Sequence, residues 1–166
     1  MADSEIELGQ ADGAELVGIA RALFLEYADA IGTNLEYQGF SAELAALPTP
    51  YVPPSGALLI ARAGADVAGC VALRRWDNHV GEMKRLYVRP AYRNWGLGQR
   101  LVAAVVKAAR QAGYRELRLD TLPSMASAQA LYRRLGFVEI PPYNTTHLPD
   151  TRFYALNLSR IAIGSN

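Results

Sequence analysis

The chain has 166 residues and a mass of 18.1 kDa, the size of one domain able to bury about 70% of the surface its unfolded chain exposes. Seventeen Lys and Arg against sixteen Asp and Glu leave a formal charge of +1, which excludes a global field that would draw the protein onto nucleic acid or anionic membrane and makes any charged site local. An apolar content of 51% with 20% charged residues excludes disorder and coiled coil.

Ser4 to Leu8 alternates as a short edge strand would. From Gly13 to Ile31 the residues Leu16, Ile19, Ala20, Leu23, Phe24 and Tyr27 recur at three- and four-residue spacing, which predicts an amphipathic helix with Asp12 as N-cap and Gly32 as stop. Thr33 to Gly56 reads as an irregular excursion, with a short helix over Ser41 to Leu47 and breaks at Pro48, Pro50, Pro53 and Pro54. Loops of this length in small domains are often binding elements. Ala57 to Ala63, Val67 to Trp76 and Val80 to Val88 then form a predicted three-strand antiparallel meander, joined by Gly64-Ala65-Asp66 and Asp77-Asn78-His79. Gly96 to Ala112 is the clearest helix, with Leu97, Leu101, Val105 and Ala108 on one face and Gly113 as stop. Glu116 to Asp120 is a brief strand. Ser124 to Leu135 is a second helix with Ser124 as N-cap and Gly136 as stop, and strands at Phe137 to Ile140 and Arg152 to Leu158 flank a loop at Pro141 to Asp150. This order predicts an α/β (α+β) domain spanning 1–166, a mixed and mainly antiparallel central sheet with helices on both faces.

Chemistry concentrates after the third meander strand. That strand ends at Pro90, and a loop with Arg93, Gly96 and Gly98 opens directly into the long helix. Helix N-termini present unpaired N–H groups and partial positive charge, glycines leave room for a ligand, and Arg93 and Arg100 add charge, so the expected ligand is an anion such as a pyrophosphate. A dinucleotide fold would need a third glycine where Leu101 stands, and a P-loop would need Gly-Lys-Ser/Thr, which is absent. On these residues alone, a turn without ligand competes equally.

The segment Val88-x-Pro90-x-x-Arg93-x-x-Gly96-x-Gly98, followed by a helix and then Ala128-x-x-Leu131-Tyr132-x-x-Leu135-Gly136-Phe137, resembles the GNAT superfamily of N-acetyltransferases. With their flanks the two motifs cover about residues 57 to 140. The resemblance implies acetyl-CoA as co-substrate: the amides of the loop matching Arg93, Asn94, Trp95, Gly96, Leu97, Gly98 and Gln99 would cradle the CoA pyrophosphate, and the strand at Leu86, Tyr87 and Val88 would pair its backbone with the pantetheine arm. An alkyl ammonium, with a reference pKa near ~10.4, must lose a proton before attacking a thioester, and the departing thiolate must gain one. The resemblance implies Glu82 as general base, direct or through water, and Tyr132 as general acid. Glu82 also reads as a strand-end carboxylate paired on the surface with Lys84 and Arg85. Where some members of the family carry Asn, this chain has Met125, and Trp95 is large for a phosphate loop, placed either on the cofactor or over the helix start.

Tyr27, Glu36, Tyr37, Tyr143 and His147 are the candidate contacts to the amine, supplying aromatic faces and negative charge. Cys70, in a core-strand pattern, reads as an inert thiol, so direct transfer is expected rather than a ping-pong route. His79 reads as solvated, as do the basic stretch Lys84, Arg85, Arg89 and the array Arg115, Arg118, Arg133, Arg134. No metal is expected, because no Cys/His cluster has metal spacing. The acidic N-terminus lacks a signal-peptide layout and no apolar run nears the ~20 residues that span a bilayer, which predicts a cytoplasmic protein with no membrane or nucleic-acid partner. The function expected is transfer of an acetyl group to a primary amine, probed against a CoA-binding sensor without activity and against acylation of protein or peptide amines. A homodimer is left open.

Overall fold

The computed structural model describes residues 5–159. Seven strands form one sheet in the order β1-β2-β3-β4-β5-β7-β6: β1 (Ile6–Gln10), β2 (Ala57–Ala63), β3 (Asp66–Arg75), β4 (Val80–Val88), β5 (Glu116–Thr121), β6 (Val138–Ile140) and β7 (Arg152–Asn157). Every neighbouring pair is antiparallel except β4 and β5, which run parallel through Val80↔Glu116, Gly81↔Leu117 and Glu82↔Arg118 only. Helices α1 (Ala14–Ile31) and α2 (Phe40–Ala46) cover one face; α3 (Leu97–Gln111) and α4 (Ala126–Arg134) cover the other. The mixed sheet with helices on both faces is as the patterning predicts.

Two cores result from the alternation of β3 and β4. Val71, Leu73 and Met83 meet Leu101, Val105 and Ala109 of α3, while Cys70 and Ala72 meet Leu23 and Phe24 of α1. Cys70 is fully buried, and burial pushes its thiol far up, away from the reactive thiolate.

Helix ends depart from the expected caps. Asp12 does not cap α1; the N-cap is Gly13 at φ +88°, without a side-chain hydrogen bond. Nor does Ser124 cap α4, which begins two residues later with Met125 as N-cap. Gly32 closes α1 in the left-handed conformation at φ +68°, as predicted. The predicted strand at Ser4 to Leu8 runs Ile6–Gln10, with Ser4 outside the described residues. The excursion after α1 also holds a short 3-10 turn, Leu35–Gln38, that has no sequence periodicity.

The main correction concerns Lys84, Arg85 and Arg89, which are not a solvated stretch. Between Cys70↔Tyr87 and Ala72↔Lys84 the ladder slips, so that Arg85 and Leu86 oppose the single residue Val71. This is a β-bulge, and Arg85 occupies it at φ +62°. Its guanidinium is turned inward, 1% exposed, with Nε and Nη2 donating to the Glu43 carboxylate of α2 at 2.9 and 2.8 Å. It lies over the rings of Phe40 and Tyr27, at 5.1 and 5.6 Å from their centroids. Burial works against its charge, but the Glu43 hydrogen bonds and carboxylate outweigh it and raise the pKa. Arg89 binds Glu26 of α1 at 2.7 Å and the Val67 carbonyl at 3.1 Å. Opposite Val88, Gly69 lets the strands close: a Cβ there would run into the Tyr87 carbonyl oxygen.

Removing Glu43 would strand a buried cation. Glu43→Ala is therefore expected to lower stability by about 3 to 5 kcal/mol in urea unfolding. A loss below about 1 kcal/mol, the range of exposed pairs, would mean that Arg85 finds water without Glu43.

Candidate active site

Because β4 and β5 pair over three residues only and then diverge, the edge of β4 from Lys84 to Val88 has no strand beside it on the β5 side among the described residues. A cleft of about 450 Å³ follows this edge, lined by Leu86, Tyr87 and Val88, by Arg93 and Gly98 at the start of α3, by Ser127, Ala128 and Leu131 of α4, and by Tyr27 and Ile31 of α1. Two smaller cavities continue it into the split. The first is bordered by Lys84, Leu86, Asp120, Met125, Tyr27 and Tyr132, and the second by Tyr27, Tyr37, Gln38, Asp120, Met125 and His147. Tyr27 and Met125 line all three.

At the mouth, the turn into α3 is left-handed twice, at Asn94 (φ +68°) and Gly96 (φ +73°), a geometry that turns successive N–H groups to one side as an anion nest. No side chain caps α3, and the amides from Asn94 to Gln99 have no backbone partner among the described residues. A Cβ on Gly96 would meet nothing within 4 Å, so the space before the helix end is open. Arg93 stands beside it, exposed, its Nε donating to the Val88 carbonyl at 3.1 Å. These features suit a diphosphate.

At the apex, Tyr132 of α4 is 4% exposed and packed on Phe137 and Tyr154. Burial, with smaller contributions from Tyr27 and Asp120, pushes its hydroxyl well above the ordinary phenol value, so it stays protonated at neutral pH. Glu82 is 1% exposed and lies mid-strand. Its Oε1 accepts from Arg74 Nε at 2.8 Å and its Oε2 from the Tyr143 hydroxyl at 2.6 Å. The expected surface pairing with Lys84 and Arg85 is therefore replaced by an ion pair between the buried Glu82 and the partly exposed Arg74, and by a tether to the 141–150 loop. Lys84 is pushed down by burial, which the Glu82 carboxylate partly offsets, and its Nζ donates to Gln38 Oε1 at 3.4 Å.

Comparison with known proteins agrees with this architecture. Residues 34–137 match the acetyltransferase (GNAT) family model. The chain belongs to the GNAT acetyltransferase family. An uncharacterized N-acetyltransferase of Schizosaccharomyces pombe is 36% identical over 142 residues, covering 84% of this chain and 87% of that protein. The IAA acetyltransferase of Azospirillum brasilense is 36% identical over 91 residues, 54% of this chain and 60% of that one. In fold, a GNAT acetyltransferase from Staphylococcus aureus superposes with a TM-score of 0.75 at 23% identity, covering 92% of this chain and 99% of its own. An acetyltransferase from Salmonella typhimurium, solved with its cofactor acetyl-CoA, gives 0.67 at 18% identity, covering 95% and 96%.

Within this GNAT fold the candidate residues divide. Leu86, Tyr87, Val88, Arg93 and Gly98 line the cleft; Asn94, Gly96 and Gln99 form the turn and first helical amides beside it, and Leu97 is buried beneath. Trp95 stacks edge-on against Tyr92 at 5.2 Å and lines none of the three cavities. Tyr27, Tyr37 and His147 border the cavities, whereas Glu36 lines none, its carboxylate accepting from the Ser41 amide at 2.8 Å and from the Ser41 hydroxyl. Tyr143 is joined to Glu82. Asp120, absent from the expected set, borders both inner cavities; the available signal was its place as the last residue of the strand predicted at Glu116 to Asp120. No helix among the described residues is long and apolar enough to cross a membrane.

Proposed function

We propose that this GNAT acetyltransferase moves the acetyl group of acetyl-CoA directly onto a primary amine of a small molecule. The observation that carries the reading is the split between β4 and β5, with uncapped amides at its mouth and the protonated Tyr132 phenol at its apex. Acetyl-CoA, when bound, supplies an activated thioester. The amides from Asn94 to Gln99, with Arg93, hold its diphosphate, and the free edge at Leu86 to Val88 offers backbone groups to the pantetheine amides. Tyr132 holds a proton for the sulfur leaving group. Glu82 contributes by holding the Tyr143 hydroxyl, and with it the 141–150 loop, in place. The inner cavities, walled by Tyr27, Tyr37 and Tyr132, favour a compact acceptor over a peptide, and the buried Cys70 supports transfer without a covalent acetyl-enzyme.

The test is thiol release from acetyl-CoA with a panel of primary amines. The expected result is turnover that requires both substrates, with intersecting initial-rate lines and no acetylated Cys70 by mass spectrometry. Tight CoA binding without turnover across the panel would instead identify a sensor.

A further inference from the structure

We propose that Asp120 is the carboxylate that receives the acceptor's ammonium group and takes its proton, with Glu82 confined to holding Tyr143. This deepens the acetyltransferase reading and rests on it. Glu82 has both oxygens engaged and borders none of the cavities. Asp120 is the acidic residue that borders both inner cavities, and its one side-chain hydrogen bond among the described residues is a long one, 3.4 Å from Asn144 Nδ2 to Oδ2. The cavity between Asp120, Lys84 and Tyr132 measures about 20 Å³, enough for one water and therefore for one ammonium head.

The neighbours of Asp120 suit this role. Facing it are Tyr27 from α1, Tyr37 from the 3-10 turn, Lys84 from β4, Tyr132 from α4, and Tyr143 and His147 from the 141–150 loop. The Tyr27 and Tyr132 hydroxyls are raised by burial, so neither competes for the proton as an anion. Lys84 forms no ion pair among the described residues. A substrate ammonium placed beside it meets a like charge, which favours loss of the proton toward the carboxylate.

R–NH3⁺ gives one proton to Asp120, and the freed lone pair forms the N–C bond to the thioester carbonyl. The C–S bond breaks, sulfur takes the Tyr132 proton, and the second nitrogen proton restores Tyr132. Asp120 then returns its proton to solvent.

The discriminating experiment compares an alkyl amine with trifluoroethylamine, which is largely neutral at the assay pH, in wild type, Asp120→Asn and Glu82→Gln. Asp120→Asn should cut kcat/KM for the alkyl amine by about 100-fold or more and for trifluoroethylamine by less than tenfold; Glu82→Gln should affect the two amines equally. Acetyl-CoA affinity and the melting temperature of Asp120→Asn should match wild type, and Asp120→Ser provides the same comparison if the amide variant misfolds. Equal losses for both amines, a loss below threefold, or the basicity-dependent pattern in Glu82→Gln would overturn the assignment while leaving the transferase reading intact. Absence of wild-type turnover with every amine would overturn both.

Discussion

Gly96→Glu should abolish detectable CoA binding, with an affinity loss of at least about 100-fold, or ~2.7 kcal/mol. Gly96 sits at φ +73° as N-cap of α3, and a Cβ there meets nothing within 4 Å. The new side chain therefore does not collide with the protein; it projects into the open space before the unpartnered amides and brings negative charge where the diphosphate is proposed to bind. Two effects need separating, since any side chain at this φ costs about 1–2 kcal/mol. Gly96→Ala carries that strain without charge or bulk, so it should bind CoA within about tenfold of wild type while melting a few degrees lower. Isothermal titration of CoA into both variants is the measurement. At a ligand concentration of ~100 Kd, wild type should gain about 2.7 kcal/mol of stability, a gain that Gly96→Glu should lack. Wild-type affinity in Gly96→Glu would move the diphosphate away from α3.

Tyr132→Phe should lower kcat by about 100-fold and leave acetyl-CoA affinity unchanged. The substitution removes one oxygen and keeps the ring against Phe137 and Tyr154, at 5.7 and 6.2 Å between centroids. No hydrogen bond of the Tyr132 hydroxyl occurs among the described residues, so the stability change should stay within about 1 kcal/mol. The loss belongs to thiolate protonation, for which a buried, protonated phenol is the proposed donor. The defect should therefore shrink as the assay pH rises past the thiol's ordinary pKa of about 8.5, where sulfur can leave as the stable anion. A kcat within twofold of wild type, or a defect that does not vary with pH, would assign the hydroxyl a packing role.

The features legible in the sequence are those with local causes. The α3 periodicity, the glycine after α1 and the three-strand meander depend on neighbours in the chain, and the paired GNAT motifs mark both the α3 entry and Tyr132. What escaped depends on long-range geometry. Arg85 looks solvated because consecutive charged residues on a strand should put at least one on the surface; the bulge opposite Val71 removes that alternation and turns Arg85 toward Glu43, 42 positions away. The tether between Tyr143 and Glu82 joins residues 61 positions apart. Asp120 becomes part of the site because β5 leaves β4 after Arg118, a divergence without a signature in the strand's own residues. The missed caps at α1 and α4 follow from backbone turns closing where a side-chain cap was expected.

The brevity of the parallel ladder also governs how two substrates share one protein. Three residue pairs join β4 to β5, and each further pair would extend the ladder by about 3.3 Å toward Lys84 and Leu86. Two more would seal the gap with hydrogen bonds and turn the sheet into a continuous partition. Left open, it is a partition with a slot: the large cleft approaches it from Arg93, Gly98 and α4, and one of the small cavities from Tyr37 and His147. In the proposed function these are separate doors for donor and acceptor. Under the proposed direct transfer neither departs before the other enters, both are resident when the new bond forms, and no side chain carries the acetyl group between visits.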